Sequence, residues 1–364
     1  MRRLRAAFLS LFAAFLASSS VAAAAPWDDV VKAALAEGEV DVHGAPGRLY
    51  EQLLTERFRA AYPGIKLNFS GSSGRDAIPQ IMREREAGVY HWDVYVGGTP
   101  SILQALKPAG AFAPLRPALV RPELVADATW RDGFDAGWMD QEKKFTYSFD
   151  LTIDPVVLVN WDFVAPADLK TYADLLKPQF ADKIVWDDPR LPGAGPLVGQ
   201  TIVANFGTET LIRFLAEQKI TYTTNRRQNA EWVVRGRYPV GFGTGFDDLE
   251  IFQQQGLGRN VKAFPGDQTK FLGGPGFGTV SLMDKAPHPN AARVYIDWLL
   301  SKEGQTEWNK SRRDSRRLDV QPGAPEFLPQ PGVSYVNSQS EAQIPSRELV
   351  SSLARKYLGE QKQP

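Results

Sequence analysis

Four arginines stand beside hydroxyls and glycines in a pattern suited to holding an anion. Arg48 follows Gly44-Ala45-Pro46-Gly47, Arg75 follows Gly71-Ser72-Ser73-Gly74, and Arg190 and Arg226 lie in comparable loops further on. A guanidinium grips a carboxylate or phosphate through two parallel N–H bonds. Ser72, Ser73 and Thr99 add hydroxyls, and Gly97-Gly98 leave backbone N–H groups open. Gly193 and Gly195 precede an apolar helical run, whose first turn favours negative charge. Ordinary ion pairs compete for the same arginines, Arg75 with Asp76 and Arg190 with Asp187 or Asp188. A cation such as a polyamine would need the opposite lining, an aromatic and carboxylate box. Tyr147, Phe246 and Asp247, next to Gly243-Thr244-Gly245, could supply one, whereas Trp92 and Trp186 flank strands as core residues.

A catalytic reading lacks parts. Hydrolysis by a nucleophile needs a serine backed by a base. Gly71-Ser72-Ser73-Gly74 is not a Gly-x-Ser-x-Gly elbow, and the histidines are His43, His91 and His288. There is no cysteine, so disulfides, thiolate metal sites and a lipid-anchored N-terminus are excluded. No cofactor is expected.

The elements that position the arginines follow from hydrophobic period. Residues 65–99 read as strand, loop, helix, strand, loop: Ile65, Leu67 and Phe69 alternate, Ile78, Ile81 and Met82 take helical spacing, and Asp93-Val94-Tyr95-Val96 ends at Gly97. So short a unit makes two parallel strands with a right-handed crossover. Strand 40–43 ends likewise, so three small-residue loops, 44–48, 70–75 and 97–100, leave by one edge, where open α/β sheets bind ligands. Helices are expected at 27–37, 49–62, 196–206, 208–218, 291–300 and 347–358, and further strands at 184–186, 240–242 and 273–283. Residues 144–161 alternate and are β-branched, as strands leaving the first domain would be, and the Arg-rich run 311–317 is expected as a surface loop. No internal repeat is evident.

With 364 residues and 43% hydrophobic content, the chain can build two domains with real cores. Its 42 basic residues balance 42 acidic ones, giving no global attraction to nucleic acid or anionic membrane. Arg2, Arg3 and Arg5, the apolar run 6–16 and the small residues before Pro26 form a secretory leader expected to be cleaved after Ala24 or Ala25.

On four stretches the chain resembles the periplasmic solute-binding proteins of ABC importers, in the branch with ferric-, polyamine-, thiamine- and phosphonate-binding members. These are FRAAYPGIKLNFSGSSG (58–74), WDVYVGG (92–98), YADLLKPQFADKIVW (172–186) and PHPNAARVYIDWLLSKEGQ (287–305). The resemblance implies a two-lobed α/β fold of type II, with the ligand cleft between lobes and two crossing hinge strands at 144–161 and 273–283. It implies a leader at 1–25, a first lobe from 26–150, a second from 151–272, and a return to the first with C-terminal helices over 273–364. The implied role is a monomeric periplasmic receptor that delivers its ligand to a membrane permease and ATPase. A sensor feeding a signalling receptor would use the same fold.

Ferric members of that branch carry a histidine, a glutamate and adjacent tyrosines as ligands. The corresponding positions here hold Gly47 and Arg48, Gly98, and Gly245-Phe246. A hard trivalent ion needs anionic oxygens, which leaves Asp247, Asp248 and Glu250 as the iron alternative. The preferred ligand is a small carboxylated or phosphorylated organic anion. The ligand-binding set is then Arg48, Ser72, Ser73, Arg75, Gly98, Thr99, Tyr147, Arg190, Gly195, Arg226, Thr244, Phe246 and Asp247.

Overall fold

A computed structural model describes residues 26–153, 156–330, 333 and 335–360. The expected leader at 1–25 lies outside the described residues, as do the side chains of Arg75 and Asp247.

The chain opens with α1 (Trp27–Glu37), which buries Val30 and Ala34 and stops at Gly38 in a left-handed conformation. There follow β1 (Glu39–Gly44), α2 (Arg48–Ala61), β2 (Lys66–Gly71), α3 (Gly74–Glu86), β3 (Val94–Val96) and the single turn α4 (Thr99–Ser101). A short π-helical turn (Ile102–Leu106) and a run of 3-10 turns lead to β4 (Thr146–Ser148). The second lobe holds β5 (Val157–Asn160), β6 (Ile184–Asp187), α5 (Ala194–Phe206), α6 (Thr208–Ala216), β7 (Thr221–Thr223), α7 (Arg226–Val234), β8 (Val240–Phe242), α8 (Phe246–Gln254) and β9 (Val261–Ala263). The return comprises β10 (Phe271–Gly273), β11 (Thr279–Leu282), α9 (Pro289–Leu300) and α10 (Lys302–Trp308), and the chain closes with β12 (Tyr335–Asn337) and α11 (Ile344–Leu358).

Two five-stranded sheets result, ordered β2-β1-β3-β11-β4 and β7-β6-β8-β5-β9. In the first, β1 pairs in parallel with β2 and β3; in the second, β6 pairs in parallel with β7 and β8. Each sheet has its own apolar core. Phe58, Tyr295 and Trp298 lie in the first, and Trp186, Phe214 and Phe242 in the second. This is the two-lobed type II arrangement. The crossing segments meet where Thr152 and Gly274 exchange backbone hydrogen bonds of 3.1 and 3.0 Å.

A third segment joins the hinge. β12 pairs in parallel with β10, and α11 then lays Val350 and Ala354 into the second-lobe core beside Val198 and Ile202. The strand expected over 273–283 is split: Gly273 ends β10, the chain turns through Gly274 to Gly278, and only Thr279–Leu282 form β11. The run 311–317 is not a surface loop: Asp314, Ser315, Arg316 and Arg317 are buried. Their burial is possible because the guanidinium N–H groups find partners, Arg316 in backbone oxygens and Arg317 in Leu300 O at 2.9 Å and the Asp319 carboxylate at 2.9 and 3.0 Å.

Candidate functional site

The parallel strands decide where the helices begin. α2 and α3 start just beyond β1 and β2; α5, α7 and α8 start just beyond β6, β7 and β8. Five helix N-termini therefore gather on these edges, two in the first lobe and three in the second. Beside the second-lobe edge, α8 touches the returning chain. Glu250 of α8 accepts from Arg312, beyond α10 of the first lobe, at 2.8 Å. The Phe246 ring meets Phe327 edge-on, with centroids 4.7 Å apart.

On the first-lobe edge, Arg48 is the first residue of α2, is exposed, and makes no ion pair or hydrogen bond with any described residue. A cation at that end of a helix opposes the helix dipole unless an anion joins it. Ser72 Oγ lies 3.0 Å from His43 Nε2. Ser73 is the residue before α3, and its hydroxyl donates to Asp76 at 2.6 Å. Arg75 is the second residue of α3. At Gly98 an added Cβ would lie 3.2 Å from Gly276 O, so the small residue admits the returning chain. Thr99 is buried and donates its hydroxyl to Gln339 O at 2.6 Å. Its hydroxyl hydrogen thus anchors the C-terminal segment.

The second-lobe edge is occupied by acids. Arg190 holds Asp188 through Nε and Nη2, at 2.9 and 2.6 Å, and reaches Gly359 O at 3.1 Å. The Asp188 pairing open in the sequence is therefore the one formed, and it ties the loop after β6 to the chain beyond α11. At the start of α5, Gly195 N–H donates to Asp187 Oδ2 at 2.9 Å, so a carboxylate of the protein itself caps that helix. A Cβ at Gly195 would lie 2.0 Å from Asp187 O, which demands glycine for packing alone. Arg226, first in α7, pairs with Asp248 at 3.2 Å and stays 47% exposed. Thr244 is buried and donates to Asn229 at 2.6 Å.

Tyr147 corrects the expectation. It is fully buried in the first-lobe core, stacked on Phe134 with centroids 4.5 Å apart and edged by Trp130 and Trp138. A tyrosine on a strand facing several aromatics packs there rather than in the cleft. The sequence reading also passed over His43, since a lone histidine in a strand gives no signal, and over the Arg312–Glu250 contact, whose members lie 62 positions apart.

His43 shapes what the edge can do. It stacks on Tyr95 at 4.9 Å, and its Nδ1 is buried with no partner. Burial pushes its pKa down to about 4. Ser72 and His43 thus have the separation of a nucleophile and base, but the base is weak and no acid among the described residues orients it. Among the described residues, Asp41, Asp93 and His288 are the group whose ligand atoms lie within 4.8 Å of one another. They sit at the start of β1 and β3, away from the cleft. Asp93 already accepts from the backbone N–H groups of Asp41 and His288, both at 2.7 Å, and lies 2.9 Å from the His288 ring. That arrangement fastens the start of α9 to the sheet.

The family model for bacterial extracellular solute-binding proteins matches residues 54–314. No curated protein matches the chain. Solved structures similar to it include a periplasmic binding protein AfuA from Actinobacillus pleuropneumoniae with fructose-6-phosphate bound, at 18% identity and a TM-score of 0.62, covering 88% of this chain and 96% of that one. Another is the apo ferric ion-binding protein A of Pasteurella haemolytica, at 15% identity and a TM-score of 0.69, covering 89% and 99%. A third is iron-bound HitA from Pseudomonas aeruginosa, at 18% identity and a TM-score of 0.66, covering 88% and 99%.

Proposed function

This chain belongs to the bacterial extracellular solute-binding proteins, and from that premise we propose that it captures a small carboxylated or phosphorylated organic anion for an ABC importer. Proteins of this family bind a solute and work with a membrane permease and ATPase; no helix among the described residues is long and apolar enough to cross a membrane. The observation that carries the anion reading is the placement of arginines in first helical turns. Arg48 opens α2, Arg75 is second in α3 and Arg226 opens α7. Each position opposes the helix dipole; Asp248 already offsets part of this at Arg226, and an anion between the lobes would supply the partner that Arg48 lacks among the described residues. Closure would follow because such a ligand touches both lobes only when they are together.

The sugar phosphate named for one similar structure favours a phosphorylated solute; the iron named for another favours the alternative. Residues 243–248 contain no tyrosine to ligate iron, and Asp248 and Glu250 are engaged by Arg226 and Arg312. The mature protein is read as a monomer released by cleavage near Ala25, serving import. A thermal-shift screen of refolded mature protein tests the ligand. At a hundredfold its dissociation constant a ligand adds about 2.7 kcal/mol of stability. Stabilisation by sugar phosphates or small carboxylates, lost in Arg226→Met, supports the reading. Stabilisation by ferric citrate and none of the organic anions overturns it.

A further inference from the structure

Beside the hinge lies a cavity of about 510 Å³, apart from the cleft. Leu151 of the outgoing crossing segment and Gly273 of the returning one line it, with Tyr335 of β12. None of the cleft loops contributes a residue.

Two arginines line this space, Arg131 and Arg316. Arg316 is only 3% exposed. Its Nη2 donates to Arg131 O at 2.6 Å and Gly133 O at 3.2 Å, and its Nη1 to Ser148 O at 3.3 Å. These acceptors are neutral, and no carboxylate among the described residues comes within ion-pair distance. Arg131 also lines the cavity, and its guanidinium makes no hydrogen bond or ion pair with any described residue. A buried cation without a counter-ion is costly. Arg316 is such a cation, and beside the half-buried Arg131 on one cavity of molecular size it marks a place for an anion.

The acids on the wall leave that place open. Asp150 is fully buried and accepts from Trp308 Nε1 and Thr152 Oγ1, both at 2.8 Å. Asp132 is exposed, with its charge in solvent. Burial lowers the pKa of Arg316, while Tyr147 and Asp132 oppose that change.

We propose that this cavity is a second binding site, for a small carboxylate-bearing organic anion held by Arg131 and Arg316. Its occupant would touch both crossing segments and the third hinge segment at once. It would thereby favour one lobe angle, and by linkage its binding would be coupled to that of the cleft ligand.

Citrate is the probe, titrated by calorimetry into the mature protein and into Arg131→Met, Ala136→Trp and Arg226→Met. Ala136 lines the cavity and is exposed, so a tryptophan there narrows the space without replacing a guanidinium. The expected result is citrate binding that persists in Arg226→Met and weakens at least tenfold in both cavity variants, with melting temperatures unchanged. Three results would overturn the proposal. One is no citrate binding to the unmodified protein. Another is binding unaffected by both cavity substitutions. The third is binding abolished by Arg226→Met alone, which would leave the cleft reading intact and place citrate there.

Discussion

In the first lobe Arg48 at the start of α2 forms no ion pair with a described residue, not even with Glu51 in the same turn, whereas in the second lobe Arg190 lies across Asp188 and Arg226 across Asp248. Both edges have the same construction of parallel strands feeding helix N-termini. They differ in how much of their charge the protein has already matched. At α5 the matching is complete, because Asp187 occupies the place an external anion would take. The second lobe therefore enters binding as an ordered, neutralised wall. The first lobe brings the unmatched charge. An arginine counted in a loop states a capacity, and only its neighbours show whether that capacity is free.

The contrast can be broken most severely at Asp188. Asp188→Ala strips the half-buried Arg190 of its partner, and unfolding in denaturant should show a loss of about 3–5 kcal/mol, the cost of breaking a buried pair from one side. A loss under about 1 kcal/mol would mean that Arg190 reorients to water and the wall is not preformed.

On the first lobe the test is pH. Burial depresses the folded pKa of His43 to about 4, below the ordinary 6.5. Between those values the unfolded chain binds more protons than the folded one, so stability falls as pH drops from 6.5 to 4 and is flat above 6.5. The contribution is about 3 kcal/mol over that window, and it should vanish in His43→Gln when melts of both proteins are compared. His288 gives the opposite sign. Burial disfavours its charged form, but Asp93, Asp41 and Glu39 outweigh that and raise its pKa. Its stabilisation is full below 6.5 and lost as pH rises through the raised value.

Gly195→Ala sharpens the view of the second-lobe wall. The new Cβ meets the β6 backbone, and about 1–3 kcal/mol of stability should be lost by overpacking, measured by thermal melt. The smallest expected effect on folding is at Arg48. Arg48→Met should change stability by less than about 0.5 kcal/mol, as an unpaired surface residue does, yet weaken binding of the anionic ligand roughly tenfold, about 1.4 kcal/mol. Equal affinity in both proteins would remove the first lobe's charge from the clamp.

Much of this was legible in the residues themselves. The alternation at 65–69, the helical spacing at Ile78, Ile81 and Met82 and the loops at 44–48, 70–75 and 97–100 follow from side-chain period and backbone freedom, which are local properties. They sufficed for the two-lobed α/β fold and for the elements of the first lobe. The helix at 27–37 matches α1 end to end because Gly38 punctuates it. What tertiary structure alone decided was each polar group's partner. Tyr147 belongs to an aromatic core, Thr99 to Gln339, the run 311–317 to buried backbone oxygens, and α11 to the second lobe. Such pairings join residues far apart in the chain, and their strength depends on burial, which no local pattern carries. Sequence spoke for the period of the chain, and the fold determined which charges on it remain unanswered.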